Sequence, residues 1–436
     1  MKLLVGVTIF LLVQAARGDE VCEDLEGFKV CGTDEEIKKV TKTGEDRDLQ
    51  IIIESDAKIG PNALKDVDIR SLTLIGKTED AFNKESLPIL TLDPDSLQGL
   101  PNLEYLKLKY LRVRFNGNPL APLRNLKVLV MATGDLPAIP TDMLAGLPML
   151  MGLSLEENKI ETIPANAMSN LGELKELDLS KNDISTMEEG AMAGLDELEV
   201  LDLSLNSFTT TPKGLSGLKN LKRLNMDYGF ELKTIDPEAL KDLEELEELT
   251  MRFCDIDELK PGSLDNIPEI KALRLDGNNI RNVPQGVFNK LISLDELALS
   301  SNDIETIEAG AFNGLRLMNL DLSRNTELKI LPAGVLSDMK IMSVVLSGCG
   351  ISEIKPEALK GLKTKRLDLS DNKLKKINVG DMAGLSVKEL DLSQNQIEEI
   401  AKDALKDSNI KKLEIAENPL KEKDPAAWGL TGVMSE

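Results

Sequence analysis

A pair of leucines separated by one residue recurs along this chain at an almost constant interval, and that spacing limits its possible folds more than any other feature. Leu153 and Leu155 lead to Asn158, Leu177 and Leu179 to Asn182, and Leu201 and Leu203 to Asn206. In the same frame Leu273 leads to Asn278, Leu297 to Asn302, Leu320 to Asn325, Leu367 to Asn372, Leu390 to Asn395 and Leu413 to Asn418. With looser copies included, the first position falls at 72, 106, 129, 153, 177, 201, 224, 249, 273, 297, 320, 344, 367, 390 and 413, and from 106 onward each step is 23 to 25 residues. A further, irregular copy is expected at Ile51, where Ile51-Ile52-Ile53 leads to Ile59. A unit this short cannot bury its own apolar side, whereas stacking on its neighbours creates a shared core. Each leucine taken fully from water contributes roughly 1.5–3 kcal/mol. The asparagine carries both donors and acceptors, so a buried column of them suits the backbone groups left where each strand bends away.

The frame matches the pattern L-x-x-L-x-L-x-x-N-x-L. In the second half of the unit, Ala191-Met192-Ala193-Gly194-Leu195, Ala311-Phe312-Asn313-Gly314-Leu315 and Ala358-Leu359-Lys360-Gly361-Leu362 resemble the A-F-x-G-L segment of extracellular repeats. The chain therefore resembles secreted leucine-rich repeat proteins over residues 51–420, and is similar to arthropod leureptin-type haemolymph proteins and soluble relatives of Toll ectodomains. That resemblance implies an α/β solenoid, a curved horseshoe with a parallel sheet on its concave side and about 15–16 repeats. It also implies a non-enzymatic binding role in innate immune recognition of microbial surface molecules such as lipopolysaccharide. The alternative is a plasma or matrix scaffold that binds another extracellular protein, as a carrier subunit, inhibitor or adhesion factor.

Residues 1–18 read as a secretory signal: a Lys2 start, an apolar run from Leu3 to Val13, and small residues around Ala16-Arg17-Gly18. Removing it takes two positive charges, lowering the net charge from −23 to −25. Residues 19–50 are then an N-terminal cap and 421–436 a C-terminal cap or tail. No later stretch is long and apolar enough for a membrane span, so a secreted, extracellular protein is expected. Histidine is absent, which excludes Ser-His-Asp and Cys-His catalysis and histidine metal sites. No catalytic residue, metal or cofactor is assigned. The strongly acidic balance argues against a nucleic-acid partner.

The four cysteines divide by position. Cys22 and Cys31 look like a reduced version of the N-terminal cap of secreted members of the family, and in a secreted chain they are expected to pair. Cys254 and Cys349 occupy asparagine positions four rungs apart, roughly 19 Å at the strand spacing of a sheet, and are expected to be buried free thiols. The single tryptophan, Trp428, is expected to cover the last turn in place of a cysteine-rich cap.

Residues flanking the paired leucines should point away from the core, because strand residues alternate faces. On this face Asp178, Asp202, Asp321, Asp368, Asp391 and Glu414 form an acidic column, read as solvated. Two regions depart from the repeat. Between Glu104 and Asp135 there is no acid, while Tyr105, Lys107, Lys109, Tyr110, Arg112 and Arg114 bring together cations and aromatics suited to an anionic amphiphile such as a microbial surface glycolipid. Further on, Arg223, Arg252 and Arg274 fall on successive rungs with Tyr228 and Phe253 at strand ends. Arginine and tyrosine are favoured interface anchors, although Asp227, Glu248 and Asp276 are placed to pair with these arginines.

Overall fold

The computed structural model describes residues 20–25, 27–78, 83–421, 423–430 and 434–435. The expected signal, residues 1–18, lies outside them. Contacts divide the chain into a first unit, Met1–Ser207 with Lys213–Leu221, and a second, Phe208–Pro212 with Lys222–Glu436.

In the first unit the leucine frame builds a parallel main sheet. Its strands are Asp48–Ile53, Ser71–Gly76, Tyr105–Lys109, Val128–Ala132, Gly152–Ser154, Glu176–Asp178 and Val200–Asp202. Leu49, Leu72, Leu106, Leu129, Leu153, Leu177 and Leu201 are partners in register across it. The first copy therefore begins at Leu49 and not at Ile51. Ile51 fills the second apolar position, and both side chains are buried.

A second sheet accompanies these early turns. Val21–Leu25, Phe28–Gly32 and Glu36–Lys42 pair antiparallel, and the sheet continues in parallel through Ala57–Ile59, Ile89–Leu92 and Arg112–Phe115. Cys22 and Cys31 face each other in the hairpin and form the expected disulfide. The long step from 72 to 106 accommodates the strand Ile89–Leu92 and a loop whose Lys84 Nζ donates to the Asn158 carbonyl at 3.0 Å.

The second unit repeats the main-sheet arrangement through Arg223–Asn225, Glu248–Thr250, Ala272–Arg274, Glu296–Ala298, Asn319–Asp321 and Ser343–Val345. It ends with the longer strands Lys363–Asp368, Ser386–Asp391 and Asn409–Glu414, and a short Met434–Ser435. Leu224, Leu249, Leu273, Leu297, Leu320, Val344, Leu367, Leu390 and Leu413 keep one register. Trp428 is buried at 4% exposure, and its carbonyl accepts from the Leu405 amide, consistent with the covering role expected of it.

Helix contributes little. Among the described residues the one α-helix is Thr141–Leu144, and the return segments are mostly turns. The repeat is too short for more, and its glycines stop helix growth. Gly194, for example, has φ +83°, and a Cβ there would lie 2.3 Å from the Ser169 carbonyl oxygen.

Asparagine amides join successive turns. Asn158 Nδ2 donates to the carbonyls of Met131 (2.8 Å) and Leu155 (2.9 Å), while its Oδ1 accepts from the Leu136 amide (3.1 Å). Asn302 does the same in the second unit, with Leu275, Leu299 and the Ile280 amide. Cys254 and Cys349 are free and buried as expected, and their thiols donate to the carbonyls of Met226 (3.1 Å) and Leu322 (3.0 Å). Burial pushes both thiols up to about 12, leaving them protonated and unreactive at neutral pH.

Asn158→Leu should therefore lower the denaturation midpoint, by about 1–3 kcal/mol for each buried backbone group it orphans, despite the gain in hydrophobicity. Asn418→Leu, at the more exposed last copy, should cost less. Equal midpoints for the two variants would contradict the ladder's role.

Candidate functional site

The N-terminal basic stretch is divided between two sheets. Tyr105, Lys107 and Lys109 alternate outward on their main-sheet strand, beside Val128, Val130 and Ala132. Tyr110 then takes φ 58° and redirects the chain, with Lys109 Nζ 5.1 Å from its ring centroid. Arg112 and Arg114 follow on the second sheet. There Arg112 Nε donates to the Leu87 carbonyl at 2.9 Å, and Arg114 grips both oxygens of Asp135 at 2.8 and 2.6 Å. This pairing raises the Arg114 pKa and holds the Asp135 carboxyl below the usual range. Lys127 pairs with Glu104 at 3.3 Å. The residues remaining together on the main sheet are thus Tyr105, Lys107 and Lys109. Burial, followed by repulsion from Lys109, lowers the Lys107 pKa.

The central arginines, all in the second unit, do not form a column. Arg223 opens its strand, Arg274 closes another at a different register position, and Arg252 lies beyond a strand end. Arg252 holds Asp227 through Nε (2.8 Å) and an Nη (2.6 Å), and its own backbone amide donates to the same carboxylate. The Asp227 side chain is 3% exposed, so this pair is structural on its acidic side. Arg274 lies between Glu248 and Glu296. Asp276, an expected partner, instead accepts from the Ser300 hydroxyl at 2.7 Å.

An aromatic ridge adjoins these pairs. Tyr228 and Phe253 both have positive φ, and their rings stack with centroids 5.2 Å apart and 9° between planes. Phe230 meets Tyr228 at 6.0 Å and 55°, and is 61% exposed. Phe253 packs against Gly277, where a Cβ would come within 2.3 Å of a ring carbon. Phe230 falls outside the strand frame, so the repeat reading missed it. Its signal was Gly229 standing where asparagine belongs, within Asp227-Tyr228-Gly229-Phe230.

The acidic column is less solvated than expected. Asp178 accepts the Ser180 hydroxyl at 2.6 Å and the Ser180 amide at 3.0 Å, and the same bonds recur at Asp202–Ser204, Asp368–Ser370 and Asp391–Ser393. Burial raises the Asp178 pKa against the effect of those bonds. Asp368 is buried and paired with Arg366 at 3.0 Å. These acids brace the strand ends.

Stacked parallel turns with an exposed, chemically varied sheet face define a binding scaffold. The model of the leucine rich repeat matches residues 124–184, 172–229, 268–326 and 339–397, just over half of the chain, and the protein belongs to that family. Its members are typically non-enzymatic and mediate protein binding. No curated protein sequence matches the chain. Among solved structures, it is similar to a leucine-rich repeat protein of Leptospira interrogans, at 25% identity and TM-score 0.56, covering 89% of each chain. An internalin of Listeria monocytogenes matches at 20% identity and TM-score 0.50, covering 72% of this chain and 87% of that one. A chain of the Drosophila Toll–Spatzle complex matches at 16% identity and TM-score 0.50, covering 92% of this chain and 68% of that one.

Asp135→Asn should cost about 1 kcal/mol at neutral pH, the upper end for an ion pair partly open to solvent. Because the folded pKa of Asp135 is depressed, its contribution is complete above the unfolded pKa of about 4 and is lost as pH falls through the folded value. Denaturation midpoints of wild type and variant should converge in acid; a constant gap would rule out the pairing as its source.

Proposed function

We propose that this protein is a secreted recognition scaffold whose ligand is another extracellular protein, held by the ridge Tyr228, Phe230 and Phe253 with Arg223, Arg252 and Arg274 around it. The observation that carries this reading is the exposed aromatic cluster. Large aromatics left in water favour burial by a partner, and aromatic and arginine anchors dominate the energy of protein interfaces. The rings cover one another's faces, so they offer an apolar ridge suited to a partner's groove. Secretion is supported by the apolar run Leu3–Val13 and by the Cys22–Cys31 disulfide. Among the described residues no helix is long and apolar enough to cross a membrane.

A second reading, innate immune recognition of a microbial glycolipid such as lipopolysaccharide, keeps one specific support. Tyr105, Lys107 and Lys109 place cations beside an aromatic on one outward-facing strand, a chemistry suited to a phosphorylated amphiphile. Arg112 and Arg114 add little to it, since both are engaged on the other sheet.

Two variants separate these readings. In capture from the protein's own extracellular fluid, Tyr228→Ala with Phe253→Ala should weaken retention of a protein partner by about 2 kcal/mol or more, while Lys107→Glu with Lys109→Glu should leave it unchanged. Loss of lipopolysaccharide binding in the lysine variant, with the aromatic variant behaving as wild type in both assays, would favour the second reading over the first.

A further inference from the structure

The residue two places before the first leucine of each turn marks the approach to the main strand, and along much of the chain its charge is matched by a neighbouring turn. Lys127 meets Glu104 at 3.3 Å, Lys175 meets Glu199 at 3.9 Å, and Lys271 meets Glu247 at 2.7 Å. Three consecutive turns near the C-terminus break this rule. There the position holds Lys365, Lys388 and Lys411, all exposed.

Their strands are also the long ones, Lys363–Asp368, Ser386–Asp391 and Asn409–Glu414. Thr364, Val387 and Ile410 are register partners, as are Arg366, Glu389 and Lys412. The lysines between them therefore occupy equivalent positions on three adjacent strands, whose backbones lie roughly 4.8 Å apart. Among the described residues none of the three has a carboxylate within ion-pair distance, whereas Arg366 and Lys412 on the same strands are paired with Asp368 and Glu414. Like charges opposite one another across a sheet are unfavourable. The packing here is supplied by buried Thr364, Val387 and Ile410, so the fold does not require the lysines.

Two members of the row, Lys388 and Lys411, line a shallow cleft of about 360 Å³ with Lys363, Thr364, Val387, Ser386 and Asn409, and there Asn409 Nδ2 donates to the Ser386 hydroxyl at 3.1 Å. No aromatic side chain lines it, so an unpaired nucleobase would find nothing to stack on. The exposed lining is mostly apolar, with the Ser386 hydroxyl and the Asn409 amide beside the lysines, which suits a sugar ring that carries hydroxyls and anions.

We propose that this row is a binding site for a linear sulfated polysaccharide, with successive sulfates meeting successive lysines and the Ser386–Asn409 pair meeting sugar hydroxyls. The net charge of −23 disfavours such a chain over the acidic parts of the surface. Binding also relieves the repulsion within the row. The site is independent of the aromatic ridge.

The probe is fluorescent heparin titrated into the full-length protein at about 0.15 M salt. Wild type should bind, with affinity falling steeply as salt rises. Replacing Lys365, Lys388 and Lys411 together by glutamine should weaken binding roughly tenfold or more, with unchanged circular dichroism and a melting point no lower than that of wild type. A matched variant with Lys233→Gln, Lys290→Gln and Lys402→Gln should bind as wild type does, and desulfated heparin should bind neither protein. Retained affinity in the first variant, or equal loss in the second, would overturn the assignment. So would competition by single-stranded DNA as effective as that of heparin itself.

Discussion

The side-chain amide that bridges adjacent turns is the interaction on which the rest of this structure depends. A strand of three residues, such as Glu176–Asp178, ends before its backbone has found all its partners, and the chain must then turn away through the interior. Asn182 resolves this by donating to the carbonyls of Leu155 and Leu179 and accepting from the Ile160 amide. Because one side chain serves two turns, it fixes their spacing as well as satisfying them. The leucines supply the driving force, but they are interchangeable in direction; the amide is what makes a one-residue slip costly.

The same logic explains how the chain departs from its own pattern. The first four turns carry Glu54, Lys77, Leu111 and Gly134 where asparagine belongs. There the main strands are longer, and a second sheet takes up backbone groups beside the first three, while at the fourth the Asn158 side chain donates to the Met131 carbonyl and accepts from the Leu136 amide. Cysteine substitutes at two later positions by donating through sulfur. At the turn beginning with Leu224 the position is Gly229, and the released chain carries Tyr228 and Phe230 outward.

Register along the regular turns was legible from sequence, because leucine spacing and asparagine position report the same geometry twice. The start at Leu49 was not, since Ile51-Ile52-Ile53 offers an equally apolar frame and only pairing with Leu72 distinguishes them. The hairpin and second sheet were also hidden; their strands recur at no fixed interval. For the candidate surfaces, residue types were readable and partners were not. Arg112 and Arg114 lie within five residues of Lys109 in sequence, yet the turn at Tyr110 carries them to another sheet. Glu296 reaches Arg274 from the following turn, and Asp276 is diverted by Ser300. Such choices depend on which side chains the fold brings within reach across the rungs, and no linear spacing encodes that.

The disulfide-bonded hairpin at Val21–Gly32 has a consequence for how a molecule of this kind can change over generations. Along the regular turns, strand pairing and the asparagine amides join each turn to its immediate neighbours, so duplication or deletion of one leaves contacts of the same type in place. The hairpin has less freedom, because its two strands pair only antiparallel and are tied together by the Cys22–Cys31 disulfide, so neither is one of the repeated parallel rungs. Length is therefore the cheap variable in this architecture and termination the expensive one. Lineages built on it are expected to differ in how many rungs they carry well before they differ in how the first one is closed off.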